Sequence, residues 1–93
     1  MKFSGFEWDE TKNEENVLKH GISFLEAQHA FFDPFRIIIF DEDHSATEER
    51  WFSIGETETG IVTVRFTYRS DKIRLIGAGF WRKWKSYYEQ QNH

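Results

Sequence analysis

Ninety-three residues make one domain, 1–93, and a chain of this size buries only about 60–65% of the surface its unfolded form exposes, so its core must be small. The lack of cysteine excludes disulfides, thiolate metal sites and a cysteine nucleophile, and the opening "MKFSGFEWDE" lacks the apolar h-region of a secretion signal. The formal net charge is −4, and no segment approaches the roughly 20 apolar residues of a membrane span, so a cytoplasmic protein with no membrane contact is expected.

The charge is laid unevenly along the chain. Residues 1–61 carry five Lys/Arg against fourteen Asp/Glu, whereas residues 62–93 carry seven against two. Such a split predicts a localised basic surface for a polyanion, with an acidic remainder free to meet something basic.

Asp9 is a suitable N-cap for a first helix reaching about Lys19, with Trp8 just outside it. The interior is polar, with Val17 and Leu18 as its apolar residues, and Glu15 and Lys19 form an i,i+4 pair. Gly21 supplies the left-handed residue that stops a helix, and His20 suits its negative end. Ser23 and Glu26 then form a capping box for a second helix, which should bury Phe24, Ala27 and Phe31 and end at Pro34.

"FRIIIF" is a short β-branched run, followed by the polar loop "DEDHSATEER" and by "WFSIG". "IVTVRFTYR" is the clearest strand, with Val62, Val64, Phe66 and Tyr68 on one face and Ile61, Thr63, Arg65, Thr67 and Arg69 on the other. With Ser70 and Asp71 as a two-residue turn into "KIRLIGAG", Arg69 faces Lys72, Thr67 faces Arg74 and Arg65 faces Ile76. One sheet face then displays Arg65, Arg69, Lys72 and Arg74. The closing segment reads as a helix with Phe80, Trp84, Tyr87 and Tyr88 as its docking stripe. The predicted fold is α+β, a four-stranded antiparallel meander sheet with two N-terminal helices and one C-terminal helix.

Four cations on neighbouring strands repel one another, and a phosphate ligand removes that cost. Trp81, Arg82, Lys83 and Lys85 stand beside this face, where aromatics among cations suit stacking on unpaired bases. A solvated sheet face and a docked helix with a wet edge account for the same residues with no ligand. In the loop, His44 is a candidate general acid or base, since its side chain titrates nearest neutrality. Asp41, Asp43 and His44 also offer ligands to a hard metal, but the EF-hand pattern fails because Ala46 stands where it needs glycine. A loop organised by local hydrogen bonds is the simpler reading. His29 is expected on a helix surface and His93 in a frayed terminus.

The sequence resembles the BrnT family, the toxins of a type II toxin–antitoxin system. The likeness lies in "FEWDETKNEENVLKHGISFLEA" at 6–27, "FDP" at 32–34, "DEDHSATEERWFSIG" at 41–55 and "DKIRLIGAG" at 71–79, and it covers nearly the whole chain. It implies a RelE-like fold and a bacterial toxin that blocks translation, through RNA cleavage. It also implies a BrnA-type antitoxin with a ribbon-helix-helix part, so that operator DNA is met only through the antitoxin complex. No metal or organic cofactor is implied. The chain departs from the family where many members read Ser-Ala-Arg: here stands Gly77-Ala78-Gly79, followed by a rewritten helix.

Metal-independent RNA cleavage requires removal of the 2′-hydroxyl proton, stabilisation of the charged phosphorane and a proton for the leaving 5′-oxygen. Arg65 and Arg74 are the expected phosphate clamps, with Arg82 or Lys83 as helix-borne partners. His44 is the acid or base if its loop folds over the sheet; Glu48 or Glu49 is the alternative base. Arg69, Lys72, Trp81 and Lys85 are expected to bind RNA. Two rivals remain: a non-catalytic module that binds RNA or protein through the same basic face, and a face that mainly meets the antitoxin.

Overall fold

The computed structural model describes residues 5–92. Helix α1, Glu10–His20, begins and ends as its sequence dictates. The Asp9 carboxylate accepts from the Lys12 N–H at 3.2 Å, and Gly21, at φ 72°, donates its N–H to the Val17 carbonyl. Its buried residue is Asn16, while Val17 and Leu18 are exposed. The reason is polar: Asn16 donates Nδ2–H to the Ile22 carbonyl at 2.9 Å and accepts the Ala78 N–H at 3.1 Å. One buried amide thereby ties the helix to the last strand.

Helix α2, Phe24–Ala27, is a single turn opened by the predicted Ser23–Glu26 capping box, and it tightens into a 3-10 turn over Gln28–Phe32 before Asp33 and Pro34. Phe24, Ala27 and Phe31 are buried, as their spacing predicts. His29 is exposed; His93 lies outside the described residues.

The strands are β1 Phe6–Glu7, β2 Ile37–Phe40, β3 Trp51–Thr57, β4 Gly60–Arg69 and β5 Lys72–Gly79, in the sheet order β1-β5-β4-β3-β2. The expected four-stranded antiparallel meander is therefore corrected to a five-stranded mixed sheet, because β1 adds to β5 in parallel, Phe6 beside Ile73 and Glu7 beside Arg74. A two-residue strand is too short to show a period of two, and its partner lies more than sixty residues away. The α+β class stands.

The β4–β5 hairpin turns at Ser70, whose φ of 57° gives the twist that tight hairpins need. Four of its pairs follow the predicted register, from Arg69–Lys72 to Phe66–Leu75. The fifth does not: Arg65 faces Gly77, not Ile76, because Ile76 is the extra residue of a β-bulge.

One face of the sheet carries the core, with Val62, Val64, Phe66, Ile73, Leu75 and Ala78 against Ile22, Phe24, Ala27, Ala30 and Phe31. Each large apolar side chain buried there contributes about 1.5–3 kcal/mol. Contact is close enough that a Cβ at Gly55 would lie 2.2 Å from the Ala30 carbonyl oxygen. Since α2 and its 3-10 extension fill this face, the C-terminal helix α3, Arg82–Gln91, takes the other. Trp84 meets Phe52 at 5.5 Å between ring centroids, and the Tyr88 hydroxyl donates to Asp33. Of the predicted docking stripe only Tyr88 is buried; Phe80 and Tyr87 are exposed and Trp84 is half-buried. Among the described residues, no helix is long and apolar enough to cross a membrane.

Candidate active site

Beyond helix α3, the second sheet face carries Arg65, Thr67 and Arg69 on β4 and Lys72, Arg74 and Gly77 on β5. The bulge shapes its centre. By moving Ile76 out of register it sets a bare glycine opposite Arg65, and the space where a Gly77 side chain would stand is empty to 4 Å. A cavity of about 140 Å³ results, lined by Asn16, His20, Phe52, Thr63, Arg65, Gly77, Ala78 and Trp81. The Arg65 guanidinium lies 5.4 Å from the Phe52 ring centroid, a cation–π contact that restrains its reach.

The loop 41–50 does fold onto this face. Its base is closed by the Asp41 N–H donating to the Arg50 carbonyl at 2.8 Å. Ser45 Oγ donates to the Asp41 carbonyl and accepts the Arg50 N–H at 2.9 Å, so local hydrogen bonds organise the loop. Thr67 Oγ1 donates to the Glu49 carbonyl at 2.6 Å and pins the loop to β4. Asp41 is thereby buried at 5% exposure, with Oδ2 3.5 Å from Arg65 Nε and 3.0 Å from His44 Nδ1. A carboxylate only accepts, so Nδ1 carries the proton of a neutral His44 and Nε2 is its lone-pair nitrogen.

The acidic remainder, expected to be free for something basic, instead supplies partners to the arginines of this face. Arg65 pairs with Asp41, Arg69 with Glu48 at 3.5 Å and Arg74 with Glu7 at 3.3 Å. The acidic N-terminal half folds back to neutralise the arginines of the basic half, which relieves the like-charge cost without any ligand.

Of the nine predicted site residues, six line three separate cavities. Arg65 and Trp81 line the central cavity; His44 is exposed on the loop outside that lining, joined to Arg65 only through their shared partner Asp41. Arg69 and Arg74 line a second cavity with Lys12 and Arg50. Arg82 and Lys85 line a third, with Phe80, Trp81 and the β3–β4 turn. Lys72 is exposed at the hairpin end, and Lys83 lies over the Trp84 ring at 4.8 Å. Trp81 is shared by the first and third cavities.

His20 went unrecognised in the sequence, where it looked like a helix-end charge. Its ring centroid stands 5.2 Å from that of Trp81, and it lines the Arg65 cavity. Gly79 makes this arrangement possible: a Cβ there would lie 2.6 Å from the Trp81 ring. The Trp81 indole is thus folded back over the strand end.

An α+β chain with an arginine-centred cavity and a carboxylate-held histidine suits chemistry on a phosphodiester. Residues 8–85 match the family model described as "Ribonuclease toxin, BrnT, of type II toxin-antitoxin system". The chain belongs to this family of ribonuclease toxins, and a toxin of this type has an antitoxin partner. Among curated proteins, none matches the sequence.

Proposed function

We propose that this protein is a metal-independent endoribonuclease that cleaves RNA in the Arg65 cavity, thereby inhibits translation, and is neutralised by a BrnA-type ribbon-helix-helix antitoxin. The observation that carries the reading is the Asp41 carboxylate buried between Arg65 and His44. In this reading the fold is RelE-like and the operator is met only through the antitoxin complex.

His44, oriented by Asp41, takes the 2′-hydroxyl proton through Nε2. The 2′-oxygen attacks phosphorus, Arg65 stabilises the charge that gathers on the phosphorane oxygens, and the P–O5′ bond breaks. His20 protonates the leaving 5′-oxygen, and the products are a 2′,3′-cyclic phosphate and a free 5′-hydroxyl. Trp81 offers a ring for a flanking base, while Arg69, Lys72, Arg74, Arg82, Lys83 and Lys85 hold phosphates away from the reacting one.

Expression from a tight inducible promoter, with RNA 5′ ends mapped before growth stops, tests this. New ends that vanish in the Arg65→Ala variant are expected. Growth arrest without new ends would replace the ribonuclease by a binding inhibitor of translation.

A further inference from the structure

The second cavity, about 220 Å³, is lined by Asp9, Lys12, Glu48, Arg50, Arg69, Arg74, Leu75 and Ile76. Its four cations come from α1, the loop 41–50, β4 and β5, so four separate stretches of chain converge there. Two of them share one carboxylate: Glu48 is 3.3 Å from Arg50 Nη2 and 3.5 Å from Arg69 Nη2. Arg74 is held by Glu7, and an Asp9 oxygen is committed to capping α1. Four cations thus meet three carboxylates. The surplus falls on Lys12, whose ammonium carries no ion pair among the described residues. Arg50 Nε is also buried there without a hydrogen-bond partner.

We propose that this cavity is a subsite for one non-reacting RNA phosphate, bound by Lys12 with Arg50 and Arg69 as Glu48 yields its place. The proposal rests on the ribonuclease reading above and deepens it. A phosphodiester brings one negative charge, which matches the one unbalanced cation. Its tetrahedral oxygens offer both arginines the acceptors that Glu48 now supplies. The cavity continues the Arg65 site along the sheet: Arg69 is four residues from Arg65 on one strand, about 13 Å. One single strand of RNA laid along β4 and β5 can therefore reach both.

The test is binding of a single-stranded oligonucleotide, 2′-O-methylated throughout so that it is not cleaved, measured by fluorescence anisotropy across a salt series. Lys12→Ala should weaken binding about fivefold at low salt and make the slope of log K against log salt shallower by about 0.7, the share of one phosphate on a single strand. Lys12→Arg should restore both. On cleavable RNA, Lys12→Ala should raise KM with kcat unchanged, because the contact is made equally in ground and transition states. Wild-type-like affinity and slope in Lys12→Ala would overturn the subsite, as would a variant that loses antitoxin affinity alone. Failure of the unsubstituted protein both to bind the oligonucleotide and to cleave RNA would sink the ribonuclease reading as well.

Discussion

Asp41 and Arg65 come from the end of β2 and the middle of β4, and their side chains meet at 3.5 Å beneath the loop 41–50. The same carboxylate holds Nδ1 of His44 at 3.0 Å. This buried acid joins the two halves of the charge split, and it holds two of the three groups that the proposed reaction uses, His44 and Arg65. Asp41→Asn is close in shape but offers His44 an amide in place of a carboxylate. RNA cleavage should fall by about 100-fold or more, the usual worth of a positioned acid–base group. Far-ultraviolet circular dichroism should stay unchanged, and a wild-type cleavage rate would remove Asp41 and His44 from the mechanism.

Asn16 spans α1, Ile22 and β5 through two buried hydrogen bonds. Asn16→Ala strands the Ala78 N–H and the Ile22 carbonyl, at about 1–3 kcal/mol for each unsatisfied group. Urea unfolding should show a lower midpoint at the same m-value. His20 and Gly77 flank this bridge, so activity should drop before the fold is lost.

The Asp33 carboxylate is nearly buried and accepts from the Tyr88 hydroxyl, the Glu56 N–H and the Phe35 N–H. Burial pushes its pKa up, but these hydrogen bonds and the nearby Arg36 outweigh that and hold it below the ordinary 3.8. Its contribution to stability is therefore present above 3.8 and lost as pH falls through the lower folded value. Asp33→Asn should flatten the acid limb of a plot of unfolding free energy against pH. Tyr88→Phe should destabilise by about 1–3 kcal/mol at neutral pH by taking one donor from a buried acid. An unaltered acid limb in Asp33→Asn would contradict this account.

Local signals in the sequence reached far. The Asp9 and Ser23 caps, the stop at Gly21, the α+β class and the alternation of β4 all follow from spacing within a few residues. What escaped was long-range or polar. β1 is too short to announce itself, and Asn16 owes its burial to partners at Ile22 and Ala78. The bulge at Ile76 needs no special residue, yet it decides which side chain faces Arg65 and so creates the central cavity. The place of Arg65 on the face of β4 away from the core was legible because the strand alternates cleanly. The place of His20 beside the Arg65 cavity was not, because it depends on α1 meeting a tryptophan sixty-one residues later. The ion pairs of Arg65, Arg69 and Arg74 were missed for the same reason: charge counted along a chain does not say which charges will touch.

The central claim is that Arg65 acts on a phosphodiester attacked by its own 2′-oxygen. The most direct measurement is cleavage of a short oligoribonucleotide in the presence of a chelator, by the wild type and by Arg65→Ala, with product ends identified by mass spectrometry. The account predicts 2′,3′-cyclic phosphate and 5′-hydroxyl ends from the wild type, none from a substrate carrying a single 2′-deoxy sugar at the cleaved position, and a rate at least about 100-fold lower for Arg65→Ala. Cleavage of the deoxy-substituted strand, or an Arg65→Ala variant as active as the wild type, would contradict it.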